Sequence, residues 1–466
     1  MRILLASDHY PPFVGGAQRQ TKVLAHELHA RGHEVAVATV RQDDLPAQSE
    51  DDGVAVHRLG QLRTLPLVRG RPRRRHQPPF ADPVTVIELR RLVRRLRPDV
   101  VHAAGWFAYS CAEALSGSEI PLLVSARDYG FSCATATLVH EGAPCSGPGL
   151  AKCMACAGSY YGKPRGWLAT LGVLGSRGRL RGRIDGLHSI SSYVSEMSER
   201  DFLGPRAAGE GGDAQRPATE IIPSFRVEDA PGSDRTPLAA LPSEPFILFV
   251  GALRRVKGIE VLLCAYEQLA DPPPLVLLGT RERDTPAALP RGARRVDPMP
   301  HWAVLEAWSA SMFGVAPSLW PEPFGSVVHE GMSRGRAVIG TSPGGHADMI
   351  EHGVTGLLVP GGNSTALREA MRNLIADREL RERLGRGALE RSQLFTAAAV
   401  VPRFEALYER LLERRHGQNR GEEERRATGR YREGDAGRVP LLEGLSLARA
   451  RALGAARGAA RARPGP

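Results

Sequence analysis

The chain reads as an α/β protein of two similar domains, each a parallel sheet wound with helices. Three observations predict this. Short apolar runs alternate with stretches of helical spacing. The alternation stops at 225–244, where Pro, Gly, Ser and Asp dominate. It then restarts and continues to the last helical pattern. At 466 residues the chain has room for two domains of ordinary size.

The first domain is expected over 1–224. Its opening run at 3–6 reads as a buried strand, and a Pro- and Gly-rich loop at 7–17 comes next. Val23, Leu24, Leu28 and Ala30 recur at helical spacing, with Gly32 as a stop. Further strands are expected at 35–40, 54–57, 100–103, 122–126, 187–191 and 220–223. The basic, Pro-rich stretch 63–79 and the Gly-rich stretch 204–217 read as loops. A Cys-rich insertion near 131–161 reads as a long loop.

The linker is placed at 225–244 and the second domain at 245–395. In the second domain strands are expected at 246–250, 275–278, 312–316, 337–341 and 356–359, with a helix at 259–269. A helix at 396–414 is expected to cross back to the first domain. Residues 415–466, rich in Arg, Glu, Gly and Ala, read as a basic disordered tail with at most a short helix at 441–453.

The composition is that of a globular protein, with 42% hydrophobic and 24% charged residues. No apolar run is long enough to predict a membrane-spanning helix. The N-terminus lacks the length and cleavage site of a signal peptide, so the expected compartment is the cytoplasm. The net charge is +11, yet only four of the 62 basic residues are lysine: Lys22, Lys152, Lys163 and Lys257. Such a balance suits acidic lipid surfaces, phosphorylated substrates or nucleic acid. Aromatics are absent from 63–75 and the tail holds only Tyr431, so nucleic acid is not expected. The basic loop at 63–75 is the segment expected to hold the protein peripherally on an acidic inner membrane surface.

The stretch from Trp320 to Met332 carries the chemistry. A strand leads into a Pro-rich loop, then into a helix beginning near Ser326. A helix start offers unpaired N–H groups to a diphosphate, and Gly325 allows close approach of the backbone. Glu322 in the loop and Glu330 about one turn into the helix are acceptors for sugar hydroxyls. Lys257 stands beside Gly258 at a helix start, where a compact ammonium suits a phosphate.

This stretch resembles the E-x7-E motif of family 4 retaining glycosyltransferases. The segments Gly335–Thr341, Gly344-Gly345 and Gly353–Pro360 are similar to the family's segments downstream of that motif. Phe249–Gly258 resembles its donor-phosphate loop, and Gly15-Gly16-Ala17 its glycine loop after the first strand. The resemblance spans about residues 1–412. It implies the GT-B architecture: two Rossmann-like domains facing across a cleft, with acceptor on the first and nucleotide-sugar donor on the second. By resemblance Glu330 binds the donor ribose, and Glu322, the expected catalytic residue, contacts the transferred sugar. Phe324, Gly325 and Ser326 present backbone groups to that sugar. Lys257 binds the donor's diphosphate, and Gly16 and Arg255 are counted with the donor-binding residues. The family needs no metal for catalysis, and the leaving phosphate takes the acceptor's proton.

Two positions depart from the family pattern. Ala252 stands where an Arg is usual, with Arg254 or Arg255 as substitutes. Arg127-Asp128 replaces the usual His before an Asp. Arg127 stays protonated and is no base, so Arg127 and Asp128 are read as acceptor-side residues. The segments 61–80 and 127–170 are expected to choose the acceptor.

Cys133, Cys145, Cys153 and Cys156 form a second motif, the last pair at Cys-x2-Cys spacing. A structural Zn²⁺ is the expected occupant, with free thiols or redox use as the other readings. Cys111 and Cys264 are isolated in apolar surroundings and read as core. A nicotinamide-dependent oxidoreductase is disfavoured, because the first loop lacks G-x-G-x-x-G and the second strand ends without an acidic residue. The remaining alternatives are a Zn-stabilised, non-enzymatic binding protein with Arg-rich segments and a nucleotide-sugar epimerase of the same fold.

Overall fold

The computed structural model describes residues 1–12, 16–42, 44–62, 77–204, 216–226 and 234–434. The sequence's basic loop at 63–75 and its short helix at 441–453 lie outside the described residues, as does Gly15. The first domain runs β1 (Arg2–Ser7), α1 (Gly16–Ala30), β2 (Glu34–Val40), β3 (Gln48–Asp51), β4 (Val54–Leu59), α2 (Pro83–Leu96), β5 (Val100–Ala104), α3 (Phe107–Ala114) and β6 (Leu122–Ala126). A short hairpin, β7 (Val139–His140) and β8 (Ala143–Pro144), precedes α4 (Leu150–Tyr161) and α5 (Lys163–Arg181). The domain closes with β9 (Gly186–Ser189), α6 (Ser192–Ser198) and β10 (Ala218–Ile221).

The second domain runs β11 (Ile247–Val250), α7 (Ile259–Glu267), β12 (Leu275–Leu278), β13 (Ala293–Val296), α8 (His301–Ala310), β14 (Phe313–Ala316) and α9 (Ser326–Ser333). It continues through β15 (Val338–Ser342), α10 (His346–Met349), β16 (Leu357–Pro360), α11 (Ser364–Ala376) and α12 (Arg378–Ser392) to α13 (Ala397–Gly434).

The strands form two large sheets, in the order β10-β9-β6-β5-β1-β2-β4-β3 and β13-β12-β11-β14-β15-β16. All ladders in both are parallel except the edge pair β3–β4. Leu275–Leu278 is apolar throughout, and 35–40 is buried throughout with Thr39 as its one polar residue, because helices cover both faces of a parallel sheet. Sheets of this kind place ligands at the carboxyl ends of their strands. The loops that matter here, after β1, β6, β11 and β14, all leave from those ends.

Helix α13 begins after the second domain yet packs on the first. Val400, Phe404, Leu407, Tyr408 and Leu411 share one buried cluster with Ile3, Leu5 and Val37. At roughly 1.5–3 kcal/mol per fully buried large apolar side chain, this contact is a major attachment. A polar chain pins it. Tyr408 lies 2.7 Å from His102 Nδ1, His102 Nε2 lies 2.5 Å from Ser125, and Ser125 lies 2.6 Å from His188 Nδ1. His188 Nε2 reaches the Ile222 carbonyl at 2.7 Å. With both imidazoles neutral, every donor meets an acceptor: Tyr408 O–H to His102, His102 N–H to Ser125, Ser125 O–H to His188, His188 N–H to Ile222. Burial keeps both histidines neutral, pushing His102 well below its usual range and His188 to about 3.

Three expectations need correction. The segment beyond 415 is helical to Gly434, continuing α13. Cys264 is exposed on α7, whereas Cys111 is buried. The segment 131–161 is no simple loop: Cys153 and Cys156 sit on α4, one arm of a helical hairpin. Among the described residues no helix is long and apolar enough to cross a membrane.

Candidate active site

The site is a cleft of about 360 Å³. Arg19, Gln20, Arg127 and Asp128 line it from the first domain, Arg226 from the segment after β10, and Glu322 to Ser326 with Glu330 from the second. Tyr129 closes one end by donating to the Pro321 carbonyl at 2.7 Å.

Helix α9 starts at Ser326 with Gly325 before it in the left-handed region, at φ 88°. A Cβ at Gly325 would collide with the His346 ring, so glycine serves both the turn and the packing. Phe324 is buried edge-to-face on Phe395, which fixes the loop from below. Ser326 thus opens the helix at the cleft wall.

Glu322 is buried and bonded on every side. Lys257 Nζ lies 2.8 and 2.9 Å from its two oxygens, Ser318 donates at 2.9 Å and the Trp320 indole at 2.7 Å. Burial alone pushes this carboxyl up, but the Lys257 charge and these hydrogen bonds outweigh it and hold it below its usual range. Lys257 also sits over the Trp320 ring, 5.3 Å from its centroid. His346 accepts from the Thr341 amide through Nδ1 at 3.2 Å, so its Nε2 carries the proton. That Nε2 is buried beside Gly325, with no hydrogen-bond partner among the described residues. Burial keeps His346 neutral, with its pKa pushed down to about 4.

Glu330 holds a second cluster. Arg226 lies 2.6 Å from Oε1, His301 3.3 Å from the same oxygen, and the Trp308 indole donates to Oε2 at 3.3 Å. Burial again raises the carboxyl, and His301 and Arg226 bring it below its usual range. His301 also meets Arg19 of α1 at 3.0 Å, joining the two domains through the site. Arg127 donates to Thr21 at 3.2 Å, and burial pushes its pKa down to about 10, still protonated at neutral pH. Burial raises the Asp128 carboxyl, against the Gly130 amide that bonds it at 2.8 Å.

The structure therefore brings Glu322, Phe324, Gly325, Ser326, Glu330, Lys257, Arg127 and Asp128 together. Gly16 begins α1, the helix that carries Arg19 into the cleft. Arg255 is not brought in: it is 71% exposed and turns to Glu260 at 3.5 Å. Arg226 and Arg19 line the cleft where Arg255 does not. Arg226, His301, Trp308 and His346 are the site residues that sequence reasoning missed. Arg226 falls in the segment read as linker, and only the Gly-Gly before His346 gave any cue.

The four clustered cysteines are free thiols, all half-buried. Cys133 contacts Thr135 at 3.2 Å, Cys145 the Gly147 carbonyl at 3.5 Å, and Cys153 accepts from the Gly149 amide at 3.4 Å. Cys156 is raised by burial and by the neighbouring thiols Cys133, Cys153 and Cys145. Among the described residues the ligand atoms that come within 4.8 Å of one another in a group of three belong to His26, Asp51 and Asp52, not to the cysteines. Lys22 already holds Asp51 in that group, at 2.8 Å.

Two facing parallel α/β domains, with this cleft at their strand ends, define the GT-B class. Solved structures agree on the fold. Sucrose-phosphate synthase from Thermosynechococcus elongatus superposes with a TM-score of 0.67 at 21% identity, over 89% of this chain and all of that one. HepE of Anabaena, solved with UDP-glucose, gives 0.60 at 15% identity over 88% of this chain and all of that one. Residues 233–391 match the family described as glycosyl transferases group 1, and residues 15–208 the glycosyl transferase 4-like domain. The chain belongs to the group 1, family 4-type glycosyltransferases. The D-inositol 3-phosphate glycosyltransferase of Corynebacterium glutamicum is 30% identical over 178 residues, which is 35% of this chain and 42% of that protein. The D-rhamnosyltransferase WbpZ of Pseudomonas aeruginosa is 37% identical over 162 residues, 33% of this chain and 42% of that protein. The matches span less than half the length of these curated relatives.

Proposed function

We propose that the protein transfers a sugar from a nucleotide-sugar donor to a glycan, lipid-linked or small-molecule acceptor, with retention of anomeric configuration. One observation carries this reading. Two buried carboxylates flank the start of one helix, and each is neutralised by a cation of the right type to hold a diphosphate: Lys257 on Glu322 and Arg226 on Glu330. A donor's diphosphate competes for Lys257, while its sugar hydroxyls replace the ammonium on Glu322. The ligand thus exchanges pairs and leaves no carboxylate unpaired.

Transfer builds negative charge on the departing diphosphate and positive character on the sugar ring. Lys257, the amides at the start of α9 and the arginines of the cleft meet the first; Glu322 meets the second. Arg127 remains a cation, so the acceptor's proton goes to the leaving phosphate oxygen on the same face. That route retains configuration and asks for no protein base.

The test is a thermal-shift screen against UDP-, GDP- and ADP-sugars, followed by NMR of the product anomer. A ligand bound only by the folded state raises the melting temperature. One donor class is expected to do so, and Glu322→Gln is expected to lower its turnover at least tenfold while changing donor affinity less. No shift with any donor, or an inverted product, overturns the reading.

Structural Zn²⁺ at Cys133, Cys145, Cys153 and Cys156 belongs to the same proposal. Cys133, Cys153 and Cys145 all lie close enough to Cys156 to raise its thiol, and Cys153 and Cys156 share a face of α4. To share an ion the sulfurs must close in to roughly 2.3 Å from it. The ion would tie the β7–β8 hairpin to α4.

A further inference from the structure

The α4–α5 hairpin carries an outward face that neither the cleft nor the core uses. Half of the twelve exposed large hydrophobic residues among the described residues fall between Leu150 and Leu171. They are Leu150, Tyr160, Tyr161, Trp167, Leu168 and Leu171. The hairpin is firmly built. A Cβ on Gly166 would run into the Ala157 backbone, so the two helices touch there. The inner face of α5 buries Thr170, Val173 and Leu180. Trp167, Leu168 and Leu171 are left on the opposite face, at the i, i+1, i+4 spacing of one stripe.

The charge carried by the hairpin itself has one sign. Between Glu141 and Asp185 the chain has seven Lys or Arg and no acidic residue. Lys163 and Arg165 precede the apolar turn and Arg179 follows it, about 24 Å along the helix from Lys163. These three make no ion pair among the described residues. A protein partner would have to match an apolar stripe flanked by the hairpin's own cations. An anionic bilayer surface offers both halves of that chemistry: acyl chains for Leu168 and Leu171, and negative headgroups for the cations. Trp167, with an apolar body and an N–H, is the residue type that settles at the headgroup level.

We infer that the exposed face of the α4–α5 hairpin docks the protein on an anionic lipid surface, with α5 lying in the plane of the headgroups. This goes beyond sugar transfer and does not depend on it. The hairpin comes after Arg127-Asp128-Tyr129 in the chain, and Tyr161 is anchored to the Ala134 carbonyl at 3.1 Å. Docking there sets the acceptor side of the cleft beside the membrane.

The full chain is mixed with vesicles of phosphatidylcholine alone or with a quarter phosphatidylglycerol, and binding is read by co-sedimentation. Trp167 emission is read against bromolipids, with Trp167→Phe as the control. Three variants are compared: Trp167→Ser/Leu168→Ser/Leu171→Ser, Lys163→Gln/Arg165→Gln/Arg179→Gln, and Arg73→Gln/Arg74→Gln/Arg75→Gln. Their melting curves confirm folding, since the hairpin side chains changed are exposed. Binding is expected to anionic vesicles, with quenching that the Trp167→Phe control lacks. The apolar variant is expected to lose at least tenfold. The hairpin charge variant is expected to lose roughly fivefold per residue at low salt. Retained binding in the apolar variant, or loss confined to the Arg73–Arg75 variant, overturns the inference. So does absence of vesicle binding, including the case where the same apolar residues drive self-association instead.

Discussion

Replacing Glu330 by Ala tests whether this carboxylate serves the fold as well as the donor. Its side chain is 9% exposed and that of Arg226 15%, with 2.6 Å between them. Removing the carboxylate takes its charge from beside the Arg226 guanidinium, which still meets His301 in a low-dielectric wall. Breaking such a pair costs about 3–5 kcal/mol, and partial access of water to Arg226 favours the lower figure. At roughly 2–4 °C per kcal/mol for a domain of this size, the melting temperature without nucleotide falls by about 6–12 °C. Arg226→Met, which strands the carboxylate instead, falls by a comparable amount. The double variant removes both charges and falls by much less than the sum. The expected coupling is about 1.5 kcal/mol or more, well above the 0.3–0.5 kcal/mol scatter typical of independent sites. Scanning calorimetry of the four proteins, with circular dichroism to check the fold, decides it. If the two single changes simply add, or Glu330→Ala melts with the wild type, then Glu330 is held for the donor alone and the pairing argument fails.

Asp8 gives a pH prediction. Burial and then the Asp128 charge push its carboxyl up to about 8, against the amides of Phe107 and Trp106, and its Oδ1 has no hydrogen-bond partner among the described residues. Between about pH 4 and 8 the folded protein keeps a proton that the unfolded chain has lost, so stability falls as pH rises through that window. Asp8→Asn is expected to flatten this slope in melting curves; an unchanged slope refutes the shift. Tyr408→Phe removes the donor to His102 Nδ1 and leaves a buried acceptor unpaired. It is expected to cost about 1–3 kcal/mol in urea unfolding, and a neutral outcome means the relay does not fasten α13. Protein purified under reducing conditions is expected to hold about one Zn²⁺ per chain by elemental analysis. Cys153→Ser is expected to release it without changing donor binding. Metal-free protein with four titratable thiols refutes the site.

Much of the architecture is readable from apolar periodicity, because both sheets bury their central strands completely. The elements that escape it fail for local reasons. Edge strand β3 is polar, with residues alternating half-buried and exposed, and β13 carries Arg294 and Arg295 outward. Helix α4 is rich in Ala, Gly, Cys and Ser, whose weak apolar contrast reads as loop, and α5 interleaves its Leu with Gly and Arg. In the cleft, Glu322 to Glu330 are readable because a loop and a helix start lie within one short stretch. Arg226, His301 with Trp308 on α8, and His346 come from three separate places, and only the folded chain makes them neighbours of those carboxylates. Arg255 shows the converse: a charge beside Lys257 in sequence points the other way in space.

The pairing of Lys257 with Glu322 also bears on what leaves the cleft. In the proposed transfer, once the sugar has moved to its acceptor the spent nucleotide can still hold Lys257, but nothing replaces the ammonium on Glu322. That carboxylate then sits among Ser318 and Trp320 without its cation, and it pulls Lys257 back. Under the proposed transfer, Glu322 and the spent nucleotide then compete for one ammonium. Under the same proposal, a free diphosphate that enters without a sugar meets that competition at the same two residues.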